Sequence, residues 1–462
     1  MSGETAHRAA VGGRWKGVGS VSNASRRGWF RDVGTLMTGT VGGQLLAVAV
    51  LPITTALFDP SELGTFAVFL AAVTIGYAVA ALRFDAAIPV PDGDDAAAAL
   101  TVISLRAAAA IGGVVAAIGA VFGPILGDLL GIGGVASWMW LIGPTIFAAS
   151  SFQTLITWNT RIGAFGVISF ARLVQGVGLA AGQIVAGLMG AGAVGLLFVP
   201  IIAWGIASSF LAVRLGLAGG LPARAPSLRA VAVRYRRFPL FMSWSVIANR
   251  ISTEIAPAAM AAIHDPRTAG LFLLASRITY RPVGMVTQSM AQVYVNRAAP
   301  AWVDDPGALR RMIVGIGHKL LLVALVPTIV GLLFAPTVFA FVLGDTWREA
   351  GEYARFLIPM ALGGLVSVSF GPTFAITERQ HLQLYHELAR LVVVLGSFGI
   401  AIVTDASPAA TVGLYAGAAT VGYLMLLAMI WKAADPAPSG AAATAPASID
   451  AGSTALGRAA TI

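Results

Sequence analysis

Residues 59–66 read DPSELGTF and residues 265–272 read DPRTAGLF, so the pattern D-P-x-x-x-G-x-F occurs twice, each time after the first apolar span of one half of the chain. A second match has the same order. Arg161 stands ten residues before an ARLV tetrapeptide, and Arg379 stands ten residues before another. Several matches in one order are harder to attribute to chance than a single match. They predict an internal duplication.

The composition places both halves in a membrane. Charged residues make up 11% of the 462 residues and hydrophobic residues 57%, whereas charged residues are about 25% of soluble domains. Apolar runs of about 20 residues follow one another, each long enough to cross a hydrocarbon layer of about 30 Å. We therefore expect an all-α integral membrane protein with about twelve transmembrane spans, near residues 34–57, 63–82, 99–122, 135–157, 166–189, 193–214, 238–262, 268–295, 316–342, 352–376, 384–404 and 409–431.

The distribution of basic residues predicts the orientation. Of 30 Lys and Arg, 20 lie in the termini and the even-numbered loops, with Arg214 at the end of the sixth span counted in the loop that follows, and only Arg267 and Arg348 lie in the odd-numbered loops. By the positive-inside rule, both termini are expected in the cytoplasm and the protein in the cytoplasmic membrane. The basic residues thus follow the membrane topology, and no nucleic-acid partner is expected. The predicted segments are a basic tail (1–33), a six-helix bundle (34–214), a basic linker (215–237), a second bundle (238–431) and a disordered tail (432–462).

Six spans in each half make the two repeats parallel, related by an axis along the membrane normal. Transporters of this kind hold the substrate between two lobes near the middle of the membrane and alternate its access by rocking the lobes. The outer loops are short, about ten residues at most, so no catalytic domain and no catalytic residue is expected. The chain has no cysteine and its histidines lack metal-ligand spacing, so neither a metal nor a cofactor is expected.

Charged side chains inside the predicted spans are the candidate functional residues. Arg250 and Glu254 lie in the seventh span, and Arg277 and Arg281 in the eighth, each pair with the i, i+4 spacing that puts both side chains on one helical face. Guanidinium groups stay charged and fit phosphate oxygens bidentately, so a water-filled cationic cavity for an anionic head group is one interpretation. The alternative is that Arg277 and Arg281 extend toward an interface or form structural hydrogen bonds.

Other embedded charges have two interpretations each. Arg172 and Arg390 occupy equivalent positions in the repeats, which favours a structural role for both. Glu254 is either the counter-ion of Arg250 or an ion-coupling carboxylate, because embedded carboxylates often relay ions.

Several stretches together give the chain a family resemblance. LRFDAAIPVP (82–91), YRRFPLFMSWSVIANRIS (235–252), AGLFLLASRITYRPVGMVTQSMAQVYV (269–295), LGDTWREAGEYARFLIPM (343–360) and ITERQHLQL (376–384) resemble, in order, segments of the Wzx-type polysaccharide flippases. These belong to the multidrug/oligosaccharidyl-lipid/polysaccharide (MOP) exporter superfamily, which also contains the MATE transporters. The resemblance covers roughly residues 30 to 430.

The resemblance implies a V-shaped, MATE-like pair of bundles that carries undecaprenyl-pyrophosphate-linked oligosaccharide to the outer leaflet. It adds Arg83 to the substrate-binding arginines, with Asp85 as counter-ion or ion-coupling group. It also implies as partners the lipid bilayer and the polysaccharide polymerase and chain-length machinery.

Two rival functions remain at this level. A multidrug or cation exporter of the same superfamily would need acidic cavity residues, whereas the embedded charge is mostly basic. A membrane-embedded polysaccharide polymerase or ligase would need a sizeable outer loop, which the sequence does not provide.

Overall fold

The computed structural model describes residues 49–217, 227–305 and 307–435, which form helices, turns and loops but no β-strand. The first lobe contains helices α1 to α6: Leu51–Leu57, Pro60–Ala80, Asp94–Leu129, Ile142–Arg161, Phe165–Leu188 and Gly192–Leu217. A short helix, α7 (Leu228–Arg234), precedes the second lobe. The second lobe contains α8 to α14: Ser243–Ile263, Pro266–Asp304, Ala308–Leu343, Arg348–Val368, Thr373–Ile376, Gln380–Val403 and Pro408–Ala433.

The helices confirm the all-α membrane fold. The second to the twelfth predicted spans all coincide with helices, and nine helical segments of the described chain are long and apolar enough to cross a membrane. Helices α8 and α9, which carry the embedded charges, are not among these nine. Most of the first predicted span and the tail at 1–33 lie outside the described residues.

Some helices are longer than their predicted spans. Helix α9 has 39 residues and therefore extends about 58 Å, well beyond a hydrocarbon layer of about 30 Å. It continues beyond the predicted end at residue 295 through Asn296 and Arg297, whose polarity ends the hydropathy signal without ending the helix. Hydropathy marks the part of a helix inside the lipid, so it underestimates helices that continue into water.

The repeated octapeptide starts equivalent helices. Pro60 and Pro266 are the first residues of α2 and α9, where proline is favoured because the first helical N–H groups have no intrahelical acceptor. The Asp265 carboxylate accepts a hydrogen bond from the backbone N–H of Thr268 at 2.6 Å. At the other copy, the Glu62 carboxylate accepts one from the backbone N–H of Asp59 at 2.9 Å. The motif therefore fixes where both helices begin.

The glycine of each octapeptide contacts the other copy. A Cβ added to Gly64 would lie 1.6 Å from the carbonyl oxygen of Pro266, and one added to Gly270 would lie 1.8 Å from the carbonyl oxygen of Pro60. Helices α2 and α9 thus cross with their backbones in contact, which only glycine permits. The reciprocity is what a local two-fold relation between duplicated lobes produces.

A second contact holds the lobes together nearby. The indole Nε1–H of Trp347, which is fully buried, donates a hydrogen bond to the carbonyl oxygen of Thr55 at 3.3 Å. Thr55 lies in the last turn of the first lobe's α1, and Trp347 directly precedes α11. These contacts join the lobes at the end of the bundle that the basic-residue distribution predicts to face outward.

The repeated arginines also have matching roles. Arg161 donates hydrogen bonds to the carbonyl oxygens of Ile88 and Pro91, at 3.2 and 2.7 Å. Arg379 donates one to the carbonyl oxygen of Lys432 at 2.8 Å. Both guanidinium groups donate hydrogen bonds to backbone carbonyl groups of helix ends or loops. These lie on the predicted cytoplasmic side of the bundle, opposite the glycine crossing.

Candidate functional site

A cavity of about 440 Å³ lies between the lobes. Helices α2, α4, α5 and α6 supply most of its wall, and α9 of the second lobe supplies the rest. Its charged lining residues within the described chain are Arg172, Arg277 and Arg281, and no described aspartate or glutamate lines it. The cavity is therefore cationic. Its other polar or aromatic lining residues are Phe66, Thr74, Tyr77, Phe152, Gln153, Gln175, Gln183 and Trp204.

The structure brings Arg277 and Arg281 together on the cavity face of α9. Their i, i+4 spacing aligns them, and the crossing at Gly270 presses this helix against α2. The Arg277 guanidinium lies 5.8 Å from the ring centroid of Phe66. Within the described residues neither arginine has an ion pair or a hydrogen bond. Two like charges one turn apart repel, so an anion placed between them is favoured.

Arg250 and Glu254 lie beside this cavity rather than in its lining. Their side chains are 3.8 Å apart on α8 and remain about one third exposed, 37% and 35%. The Arg250 guanidinium lies 6.0 Å from the ring centroid of Tyr77, whose side chain lines the cavity. Arg250 is thus separated from the cavity by one aromatic ring.

Arg83 and Asp85 are not brought to the cavity. They follow the end of α2, and their side chains form an ion pair at 3.7 Å. Asp85 is buried, and this burial raises the pKa of its carboxyl group, an effect that the nearby Arg83 partly opposes. Arg83 has a left-handed backbone with φ of 58°. The pair therefore lies at an unusual turn on the predicted cytoplasmic side.

The two repeat-equivalent arginines have different surroundings. Arg172 lines the cavity. Arg390 is buried inside the second lobe, where its Nε lies 4.0 Å from a carboxylate oxygen of Glu387 and its Nη2 donates a hydrogen bond to the carbonyl oxygen of Asn249 at 3.4 Å. Their equivalence in the repeats predicts a structural role for both arginines, but Arg172 lines the cavity and Arg390 does not.

Three glutamines line the cavity without having been predicted from the sequence. Gln153, Gln175 and Gln183 are the only glutamines between residues 49 and 217, and all three line the cavity. The signal was present in the sequence, since uncharged polar residues inside apolar helices are also costly and usually have a function. Because the three side chains are neutral, charge alone does not identify them.

The arrangement combines three cations with neutral polar groups and aromatic rings. Guanidinium groups bind phosphate or carboxylate oxygens, amides pair with hydroxyl or amide groups, and rings cover apolar faces. No nucleophile paired with a base is found among the lining residues. The site therefore offers groups that can bind the charged and the polar parts of an anionic ligand.

Comparisons with known proteins agree with the all-helical membrane fold. Residues 53–352 match the model of a family described as polysaccharide biosynthesis protein. A structure of the lipid II flippase MurJ in an inward closed conformation is similar with a TM-score of 0.65 at 11% identity, over 86% of this chain and 89% of that one. An inward-facing multidrug resistance MATE family transporter of the MOP superfamily is similar with a TM-score of 0.53 at 16% identity, over 86% and 95%. No curated protein sequence matches the chain.

Proposed function

The chain belongs to the polysaccharide biosynthesis protein family, and we propose that it is a flippase for undecaprenyl-pyrophosphate-linked oligosaccharide. In this proposal it works in the cytoplasmic membrane with both termini in the cytoplasm, and delivers repeat units for a cell-surface polysaccharide such as O-antigen or exopolysaccharide. The membrane fold, shared with MATE transporters and MurJ, is compatible with that role.

The observation that carries the proposal is the position of Arg277 and Arg281. Both face a cavity between the lobes in which no described carboxylate is present. A pyrophosphate crossing the hydrocarbon layer needs its charge neutralised, because an isolated charge there costs at least a few kcal/mol. Two arginines on one helical face supply bidentate, charge-assisted hydrogen bonds to it. A multidrug exporter for organic cations would place acidic groups there.

The lobe contacts suggest how the head group crosses. In this proposal the head group enters from the predicted cytoplasmic side and displaces water from the arginines, while the isoprenoid chain remains in lipid. The lobes then separate at the Gly64–Gly270 crossing and approach each other on the opposite side, which exposes the cavity outward. The released carrier is the substrate of a polymerase and its chain-length partner at the outer face.

Deletion of the gene tests the function directly. We expect mass spectrometry of the host's extracted lipids to show accumulation of one complete undecaprenyl-pyrophosphate oligosaccharide, together with loss of the surface polymer. A plasmid copy of the wild-type gene is the control and should reverse both changes. If no such lipid accumulates and the strain becomes sensitive to lipophilic cations, the chain exports drugs instead.

Exchange of the charges at Arg250 and Glu254 tests whether Arg250 acts on the substrate. The double variant Arg250→Glu/Glu254→Arg keeps an ion pair on α8 but moves the positive charge by about 6 Å along the helix, away from Tyr77. We expect normal membrane insertion and less than about a tenth of wild-type transport, since an anion bound by such an arginine contributes about 1.5–3 kcal/mol. Wild-type transport would instead make the pair purely structural.

A further inference from the structure

The first lobe's wall of the cavity concentrates side-chain amides. Its glutamines come from two helices, Gln153 from α4 and Gln175 and Gln183 from α5. Polar residues are costly inside a membrane protein and mark the path of a polar ligand. Residues 49–217 contain no other glutamine, so every glutamine of the first lobe's described part lines the cavity.

Helix α5 carries two of these amides, Gln175 and Gln183, on one face. Arg172, Gln175, Leu179 and Gln183 follow one another at intervals of three or four residues, and all four line the cavity. The face therefore carries one cation at its start and neutral groups along the following turns. We call Gln153, Gln175 and Gln183 the amide wall.

The amide wall is unoccupied by the protein's own groups. Within the described residues none of the three glutamine side chains makes a hydrogen bond, and none of their polar atoms is buried without a partner. Each amide offers one acceptor oxygen and two N–H donors to a ligand. Each amide of the wall thus provides uncharged donors beside an uncharged acceptor. Neighbouring hydroxyl groups of a ligand, which both donate and accept hydrogen bonds, can pair with them.

Aromatic rings line the same cavity as the amide wall. Trp204 and Tyr77 both line the cavity, with ring centroids 6.3 Å apart and planes inclined by 53°. A sugar ring has hydroxyl groups at its edge and C–H groups on its faces, so it fits amides on one side and an aromatic surface on the other. A phosphate needs neither of these surfaces.

We propose that the amide wall, together with Trp204, binds uncharged sugar residues of the carried head group, while Arg277 and Arg281 bind its phosphates. This inference rests on the flippase proposed above and deepens it by dividing the cavity into a phosphate subsite on α9 and a saccharide subsite on the first lobe. Recognition of the sugar then resides in the lobe opposite the one that recognises the lipid phosphate.

Binding of two defined carriers tests the division. The full chain is placed in lipid nanodiscs, and dissociation constants are measured for undecaprenyl pyrophosphate and for undecaprenyl pyrophosphate bearing one galactose. We expect the wild type to bind the galactosylated carrier about tenfold more tightly, as two to three added neutral hydrogen bonds imply. The variant Gln175→Leu/Gln183→Leu should reduce that ratio below about twofold without weakening binding of the bare carrier.

The matched control is Gln288→Leu, an exposed glutamine on α9 that does not line the cavity, and its ratio should equal that of the wild type. The single variants should give intermediate ratios, which guards against a double variant that fails to fold. A wild-type protein that binds both carriers equally, or a double variant that keeps the tenfold ratio, overturns the saccharide subsite and leaves the flippase intact. A wild-type protein that binds neither carrier overturns the flippase itself.

Discussion

Alanine at both Arg277 and Arg281 is expected to abolish transport while leaving the protein in the membrane. The two guanidinium groups face a cavity in which the described chain offers them no ion pair, so their removal creates no unpaired buried carboxylate. What is lost is the anion's binding energy. Each charge-assisted hydrogen bond contributes about 1.5–3 kcal/mol, so the pair accounts for more than about a hundredfold in binding.

The measurement is restoration of surface polymer in the deletion strain, with protein levels followed in isolated membranes. Arg297→Ala is the matched control, because Arg297 is an exposed arginine on the same helix outside the cavity lining. Lysine at both positions should restore part of the transport, since it keeps the charge but not the bidentate geometry. Wild-type transport by a well-expressed double alanine variant would remove the phosphate subsite from α9.

The fold was predictable from the sequence because its signals are periodic or repeated. Apolar runs of bilayer length locate the spans, and the octapeptides at 59–66 and 265–272 locate the duplication. The same signals do not reveal that Gly64 and Gly270 touch each other's helix, which depends on how the lobes pack. Helix ends in water were also missed, because there hydropathy no longer distinguishes helix from loop.

The site was predictable only in part, and Arg172 illustrates why. Arg172 and Arg390 are 218 residues apart, and the same separation pairs Ser169 with Glu387. Arg390 therefore has a carboxylate one helical turn away, whereas the equivalent turn beside Arg172 has a hydroxyl group. Duplicated positions keep the same backbone geometry, but the role of a charge depends on its neighbours, which diverged between the halves.

The lobe crossing gives the second large expected effect. Gly64→Ala places a Cβ 1.6 Å from the carbonyl oxygen of Pro266, a separation that requires the backbones of α2 and α9 to move apart. We expect the outer end of the bundle to stay open and transport to fall below about a tenth, because overpacking of this kind costs about 1–3 kcal/mol against the closed state. The helices themselves tolerate alanine well, so insertion should be normal.

The chain has no cysteine, so one introduced thiol reports this opening. Thr55→Cys places it at the buried contact with Trp347. Its labelling by a membrane-impermeant maleimide from outside should become about tenfold faster when Gly64→Ala is added, as a shift of about 1.4 kcal/mol toward the open state implies. Gly113→Ala is the control, because a Cβ there meets no atom within 4 Å.

The equivalent contact at Gly270 gives a second test of the predicted opening. Gly270→Ala meets the carbonyl oxygen of Pro60 as Gly64→Ala meets that of Pro266, so the two variants should have the same labelling rate and the same transport defect. The double variant should add little, since the first substitution already separates the helices, and residues in contact are not expected to act additively. Additive effects, or slow labelling in either single variant, would mean that the crossing is not the contact that closes the outer end. In that case closure must depend on other contacts, of which the Trp347–Thr55 hydrogen bond is the next to test.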